Sequence, residues 1–170
     1  MASTWVFLGL GSNVGARKEN LASGIALLAD SLELVETSSL YETEPWGGAE
    51  QPFFLNMICR VHSDMPPEEM LLLCQGVERQ VGRKPTFRYG PRMLDIDILD
   101  YGGMVVMSHA LSLPHPLLTE RAFVLVPLAE IAPEWEHPLL RKKASQLLQE
   151  VSGKEGVRLW GGPLTVTSGR

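Results

Sequence analysis

Cysteine is scarce: two of 170 residues, Cys59 and Cys74, stand at neither metal-site nor redox-pair spacing. This excludes a disulfide-stapled scaffold and a cysteine zinc module, and reduced thiols fit a cytoplasmic setting. Long apolar runs are missing too. Runs such as residues 25–29 and 123–129 are far short of the ~20 residues of a bilayer-spanning helix, so no membrane partner is expected. No positive charge precedes the first apolar stretch, so a secretory leader is not expected and the protein should be cytoplasmic. There is no internal repeat and no biased tract, which argues against disorder, collagen-like structure and coiled coil. Phosphate-binding machinery of the P-loop type is lacking as well, since the sole Gly-Lys pair is Gly153-Lys154 in a Gly-rich tail.

What is present is the composition of an ordinary folded domain. The chain has 45% hydrophobic and 21% charged residues and a net charge of −5, enough for one substantial core across residues 1–170, with 153–170 as a tail. Residues 4–10 read as a buried strand that empties into a turn at Gly9, Gly11 and Gly15, where the glycines serve turn geometry. A stripe of Leu21, Ile25, Leu28 and Leu32 predicts a helix over 18–32, and alternation over 33–43 predicts a second strand. Residues 44–52 form a Pro/Gly loop carrying Trp46, and a third strand follows at 53–62. Pro66-Pro67-Glu68-Glu69 opens a helix whose buried stripe is Met70, Leu73, Cys74, Val77 and Val81. A basic loop at 82–91 precedes a fourth strand at 94–101, which Gly102-Gly103 turns into a hairpin with 104–107. Residues 117–131 are helical in part, interrupted at Pro127. A last helix at 142–151 and a short strand at 157–160 complete the chain. The order strand, helix, strand, strand, helix, strand predicts an α+β fold, a ferredoxin-like sandwich of two or three layers. Its sheet is mainly antiparallel, with a split βαβ core and flanking helices.

The chemistry concentrates in Arg88-Tyr89-Gly90-Pro91-Arg92-Met93-Leu94-Asp95-Ile96-Asp97-Ile98-Leu99. On a strand Asp95 and Asp97 share a face ~6.5 to 7 Å apart, while Leu94, Ile96 and Ile98 face the core. Two repelling carboxylates in a strand run against both propensity and electrostatics, a conflict that hard divalent cations remove. Spacing alone leaves a solvated sheet face as an equal alternative. Five of the fifteen cations lie between Arg79 and Arg92 with no acid among them. Taken alone this is a solvated basic surface; beside the carboxylates it supplies the second half of a polyphosphate site. His115 sits in a Pro-His-Pro turn six residues before Arg121. Trp46, Phe54 and Phe123, with Asn56, have the chemistry to hold a flat heterocycle, although core packing is the default for both phenylalanines. A ferredoxin-like RNA-binding module is the competing class, opposed by the negative net charge and by the missing RNA-recognition consensus, so no nucleic-acid partner is expected.

These residues resemble the 6-hydroxymethyl-7,8-dihydropterin pyrophosphokinase family. The resemblance rests on Arg88-x-Gly90-Pro91-Arg92-x-x-Asp95-Ile96-Asp97-Ile98-Leu99, together with Gly11-Ser12-Asn13, Ser38-x-x-Tyr41-x-Thr43, Gln51-Pro52-x-x-Leu55-Asn56, Pro114-His115-Pro116 and Glu120-Arg121-x-Phe123. It covers residues 6–133. It implies diphosphate transfer from ATP to a pterin in folate biosynthesis, with two magnesium ions held by Asp95 and Asp97. By the same resemblance Arg83, Arg92, Asp95 and Asp97 are catalytic. Thr43, Glu44, Trp46, Phe54, Asn56, Asp95 and Phe123 would form the pterin pocket. Glu78, Arg83, Tyr89, Arg92, Ile98, His115, Pro116 and Arg121 would meet ATP. A monomer is expected. An acceptor other than a pterin, on a similar small heterocycle, stays open.

Overall fold

The computed structural model describes residues 2–44, 52–82 and 91–165. Its element order is β1 (Thr4–Ser12), α1 (Arg17–Ala29), β2 (Glu33–Thr37), β3 (Leu40–Thr43), β4 (Phe54–Ser63), α2 (Pro67–Val81), β5 (Asp95–Tyr101), β6 (Val106–Met107), β7 (Ser112–Leu113), α3 (Ala122–Ile131), α4 (Ala144–Glu150) and β8 (Arg158–Gly161). Six strands form one sheet in the order β5-β1-β4-β3-β8, with β2 also paired to β4. All of these pairings are antiparallel.

The sheet is covered on both faces. Val6, Leu8 and Leu10 alternate toward α1 and α2, joining Leu21, Ile25, Leu28, Met70, Cys74 and Val77 in one core. On the other face Phe7, Ile58 and Leu99 meet Leu118, Val124, Leu125 and Leu128, with Ala144 and Leu147 of α4. A central strand buried on two sides therefore reads as a nearly unbroken apolar run. Both cysteines are buried and unpaired, and burial pushes their thiols up, that of Cys74 to about 12.

Local chemistry sets the element ends. Pro67 begins α2 with Glu68 and Glu69 in its first turn, and Gly82 at φ 115° ends it in the left-handed region. The strand expected over 33–43 is split at Ser38. There the Oγ of Ser38 accepts the Ile58 N–H at 2.9 Å and its own N–H donates to the Ile58 carbonyl at 2.8 Å, so side chain and backbone together bridge the break between β2 and β3. Just beyond it, the Glu130 carboxylate of α3 accepts from the Ser39 N–H, the Ser39 hydroxyl and the Tyr41 hydroxyl at 2.7 to 3.2 Å. This fastens α3 to the sheet.

Two expectations change, and the expected tail strand finds its place. The hairpin at Gly102-Gly103 does not pair 104–107 with β5: both glycines take the positive φ of a tight turn, but β6 pairs with β7 instead. Pro127 does not interrupt α3. It forfeits one backbone hydrogen bond, and burial of Val124, Leu125 and Leu128 outweighs that loss. The strand in the tail, β8, extends the main sheet beside β3.

Candidate active site

The site is built across three strands on the α3 face. On β5, Asp95 and Asp97 lie opposite Gly11 and Gly9 of β1, which lie in turn opposite Asn56 and Ile58 of β4. Ile96 and Ile98 point the other way into the core, as the alternation requires. Gly9 and Gly11 are thus within a strand and do not serve turn geometry; only Gly15 of that group has positive φ. Their missing side chains leave a trough between the aspartates and Asn56, and it opens into a cleft of about 250 Å³. A glycine at alternate positions inside a strand signals close approach of a ligand or another chain, the clue that a turn reading passes over.

One end of the cleft is aromatic and amide-bearing. Thr43, Glu44, Phe54, Asn56 and Phe123 line it together with Asp95. Asn56 is buried, and its amide N–H donates to the Thr43 hydroxyl at 2.7 Å. That bond fixes the amide so that its Oδ1 stands over Gly11, 2.8 Å from where a Cβ would be. Toward Asp97 the lining is charged, with His115 and Arg121, and Arg92 adds a second guanidinium from beside Asn13, past the Asp95 end of the strand. Arg121 Nη1 is 3.6 Å from Asp97 Oδ2, and its guanidinium also lies 5.5 Å from the Phe123 ring centre, so it links the two ends.

His115 is held neutral. Burial first, and the Arg121 guanidinium second, lower its pKa to about 4. Its Nδ1 accepts the Leu117 N–H at 3.1 Å, which leaves the ring proton on Nε2 as a donor. An unfolded chain takes up this proton near pH 6.5, the folded one only near 4. The stability owed to neutral His115 is therefore complete above about pH 6.5 and lost as pH falls toward 4. In urea unfolding, the stability difference between wild type and His115→Gln is expected to fall from pH 7 to pH 4.5; a constant difference would contradict the assignment.

Glu78, Ile98 and Pro116 do not line the cleft. Ile98 is buried on the core side of β5, and Pro116 is exposed. Glu78 is buried and its Oε2 accepts the Ile96 N–H at 2.8 Å. This bond caps the outer edge of β5 between the two aspartates, and His115 caps it further along by donating its N–H to the Leu99 carbonyl at 2.9 Å. Arg83, Tyr89 and Trp46 lie outside the described residues.

Asn13 has a structural part that its motif did not reveal. Its N–H and Oδ1 pair with the Arg92 carbonyl and N–H at 3.0 and 2.8 Å. Its Nδ2 donates to the Pro52 carbonyl at 3.0 Å. A buried asparagine just after a strand ties both flanks of the cleft to the end of β1.

The protein is similar to known transferases. A family model for 7,8-dihydro-6-hydroxymethylpterin-pyrophosphokinase matches residues 7–133. The chain is 42% identical over 145 residues to the 2-amino-4-hydroxy-6-hydroxymethyldihydropteridine pyrophosphokinase of Aquifex aeolicus, covering 85% of this chain and 91% of that one. It is 44% identical over 133 residues to the enzyme of the same name from Methylorubrum extorquens, covering 77% and 84%. Among solved structures, Plasmodium falciparum HPPK-DHPS with pteroate aligns at a TM-score of 0.73 and 17% identity, over 88% of this chain and 42% of that chain. At that identity the likeness is one of fold. Sheet, cleft and relatives together define an enzyme of the transferase class. The chain belongs to the 7,8-dihydro-6-hydroxymethylpterin-pyrophosphokinase family.

Proposed function

We propose that the protein transfers diphosphate from ATP to the hydroxymethyl group of 6-hydroxymethyl-7,8-dihydropterin in folate biosynthesis, releasing AMP. The observation that carries this reading is one cleft with two chemistries. Aromatic and amide side chains suit a flat heterocycle, and cationic side chains beside paired carboxylates suit a polyphosphate. The pterin hydroxymethyl oxygen would attack the β-phosphorus, forming one O–P bond as the bond to the AMP oxygen breaks and the hydroxyl proton leaves. Asn56 and Glu44 would hydrogen-bond the heterocycle between Phe54 and Phe123. Arg92, Arg121 and the Nε2–H of His115 would neutralise and orient the phosphates, so that positioning and charge compensation supply most of the rate.

Magnesium fits the residues. Asp95 and Asp97 offer hard oxygen donors on one face, opposite glycines that leave room beside them. No group of three or more His, Cys, Asp or Glu suited to a metal occurs among the described residues, and magnesium bound with phosphates needs only one or two protein carboxylates. Bound there, two magnesium ions would neutralise the developing phosphoryl charge. Arg83 and Tyr89 complete the proposed ATP set, and Trp46 the pterin set. We further propose a monomer working in the cytoplasm without nucleic-acid or membrane partners, as one domain over residues 1–170. No described helix is long and apolar enough to cross a membrane. The sheet order, with α1 and α2 on one face, supports the ferredoxin-like split βαβ reading.

Phosphorus NMR of purified protein with ATP, magnesium and 6-hydroxymethyl-7,8-dihydropterin tests this. Pterin-dependent AMP together with a diphosphorylated pterin is expected. ADP would mean single-phosphoryl transfer, and no turnover by folded protein would return the RNA-binding module.

A further inference from the structure

We infer that Arg17 is a positioning residue for the heterocycle end of the cleft, an inference that rests on the functional reading above. Arg17 is the first residue of α1, where a cation opposes the helix dipole. Its guanidinium turns away from the helix instead. One nitrogen, Nη1, lies 2.8 Å from Glu42 Oε2 and donates to the Phe53 carbonyl at 2.9 Å. Both side chains of the ion pair are about three-quarters buried, with exposures of 23% and 29%.

The two acceptors directly precede two residues of the cleft. Glu42 is followed by Thr43 and Phe53 by Phe54, and Thr43 and Phe54 are the last paired residues where the β3–β4 ladder opens. Strand ends fray unless tied. Among the described residues the ladder has no pairs beyond Thr43 and Phe54, and Arg17 supplies a cross-link there from a third element. The Asn13 bond to the adjacent Pro52 carbonyl holds the same entry to β4 from the same connection between β1 and α1. Thr43 orients the Asn56 amide, so a shift at the ladder end passes to the heterocycle pocket, whereas Arg92 is held by Asn13 and not by Arg17, and Arg121 stands further along beside Asp97.

The test is a split of Michaelis constants in Arg17→Ala, Arg17→Lys, Glu42→Gln and the Arg17→Ala/Glu42→Gln pair, each checked for a folded thermal transition. In Arg17→Ala and Glu42→Gln the pterin KM is expected to rise about fivefold or more while the ATP KM stays within about twofold, the scale of a partly exposed charged pair. Because both contacts leave one nitrogen, Arg17→Lys should return the pterin KM to within about twofold of wild type. The double variant should be no worse than the worse single one, since both act through the same contact. An unchanged pterin KM, equal rises in both constants, or additive losses would overturn the inference while leaving the activity in place. Absence of pterin-dependent AMP from the wild type would instead overturn the functional reading beneath it. Glu42→Gln is nearly isosteric, so the result stands even if Arg17→Ala fails to fold.

Discussion

Asp97→Ala is expected to lower kcat by about 10³-fold or more, because it removes charge compensation aimed at the transferring phosphoryl group. The side chain lies on the cleft face of β5, with Arg121 3.6 Å away. The strand itself is held by other groups: Leu94, Ile96 and Ile98 in the core below it, the Glu78 carboxylate at the Ile96 N–H, and the ladder to β1. Thermal unfolding should therefore shift by no more than a few degrees while turnover collapses. Asp97→Asn keeps the shape and loses the charge, and should fall almost as far if charge is what matters. Single-turnover kinetics at saturating magnesium separate the chemical step from binding. Turnover within tenfold of wild type would remove Asp97 from the catalytic set.

The second large effect is expected at Gly11. A Cβ there would stand 2.8 Å from Asn56 Oδ1 and 3.3 Å from Phe54 Cδ1, and the first distance requires something to move. Asn56 cannot swing aside without breaking its bond to Thr43. Gly11→Val, which also places methyl groups in the trough beside Asp95, should weaken pterin binding on the order of 10²-fold, within the usual cost of overpacking. Asp97, His115 and Arg121 of the proposed ATP set lie further along the cleft, nearer Gly9, so ATP affinity should be kept. Gly9→Ala is the contrast, because its Cβ meets Leu99 at an ordinary 3.4 Å. Equilibrium titration with pterin, followed by its fluorescence, reads this directly, and wild-type affinity in Gly11→Val would show that Gly11 does not floor the pocket.

How far the site was legible depended on the range of the signal. Alternation in 94–99 placed Asp95 and Asp97 on one face and the aliphatic residues on the other, because the strand period is local. Pro67, Glu68 and Glu69 announced the start of α2 for the same reason. Pro127 reads as a break in the sequence because propensity counts the lost N–H and not the core that the helix covers. The Gly102-Gly103 turn reads as a hairpin into 104–107 because the residues that β6 pairs with lie beyond the next loop. Gly9 and Gly11 read as turn glycines because a glycine in a strand matters only through what lies across from it, here Asp97 and Asp95 on one side and Ile58 and Asn56 on the other.

The sequence by itself determined the element types, the paired carboxylates, the cationic company around them and the family resemblance. These are written in composition, period and contiguous motif, and need no knowledge of partners. Only the tertiary structure decided that Thr43, Asn56, Phe54 and Phe123 meet the aspartates in one cleft. It also decided that Glu78 faces the strand edge and not the cleft, and that Asn13 and Arg17 hold the entry to β4. Those relations arise from strand pairing and helix docking between residues dozens of positions apart, which the local pattern of a single chain does not encode.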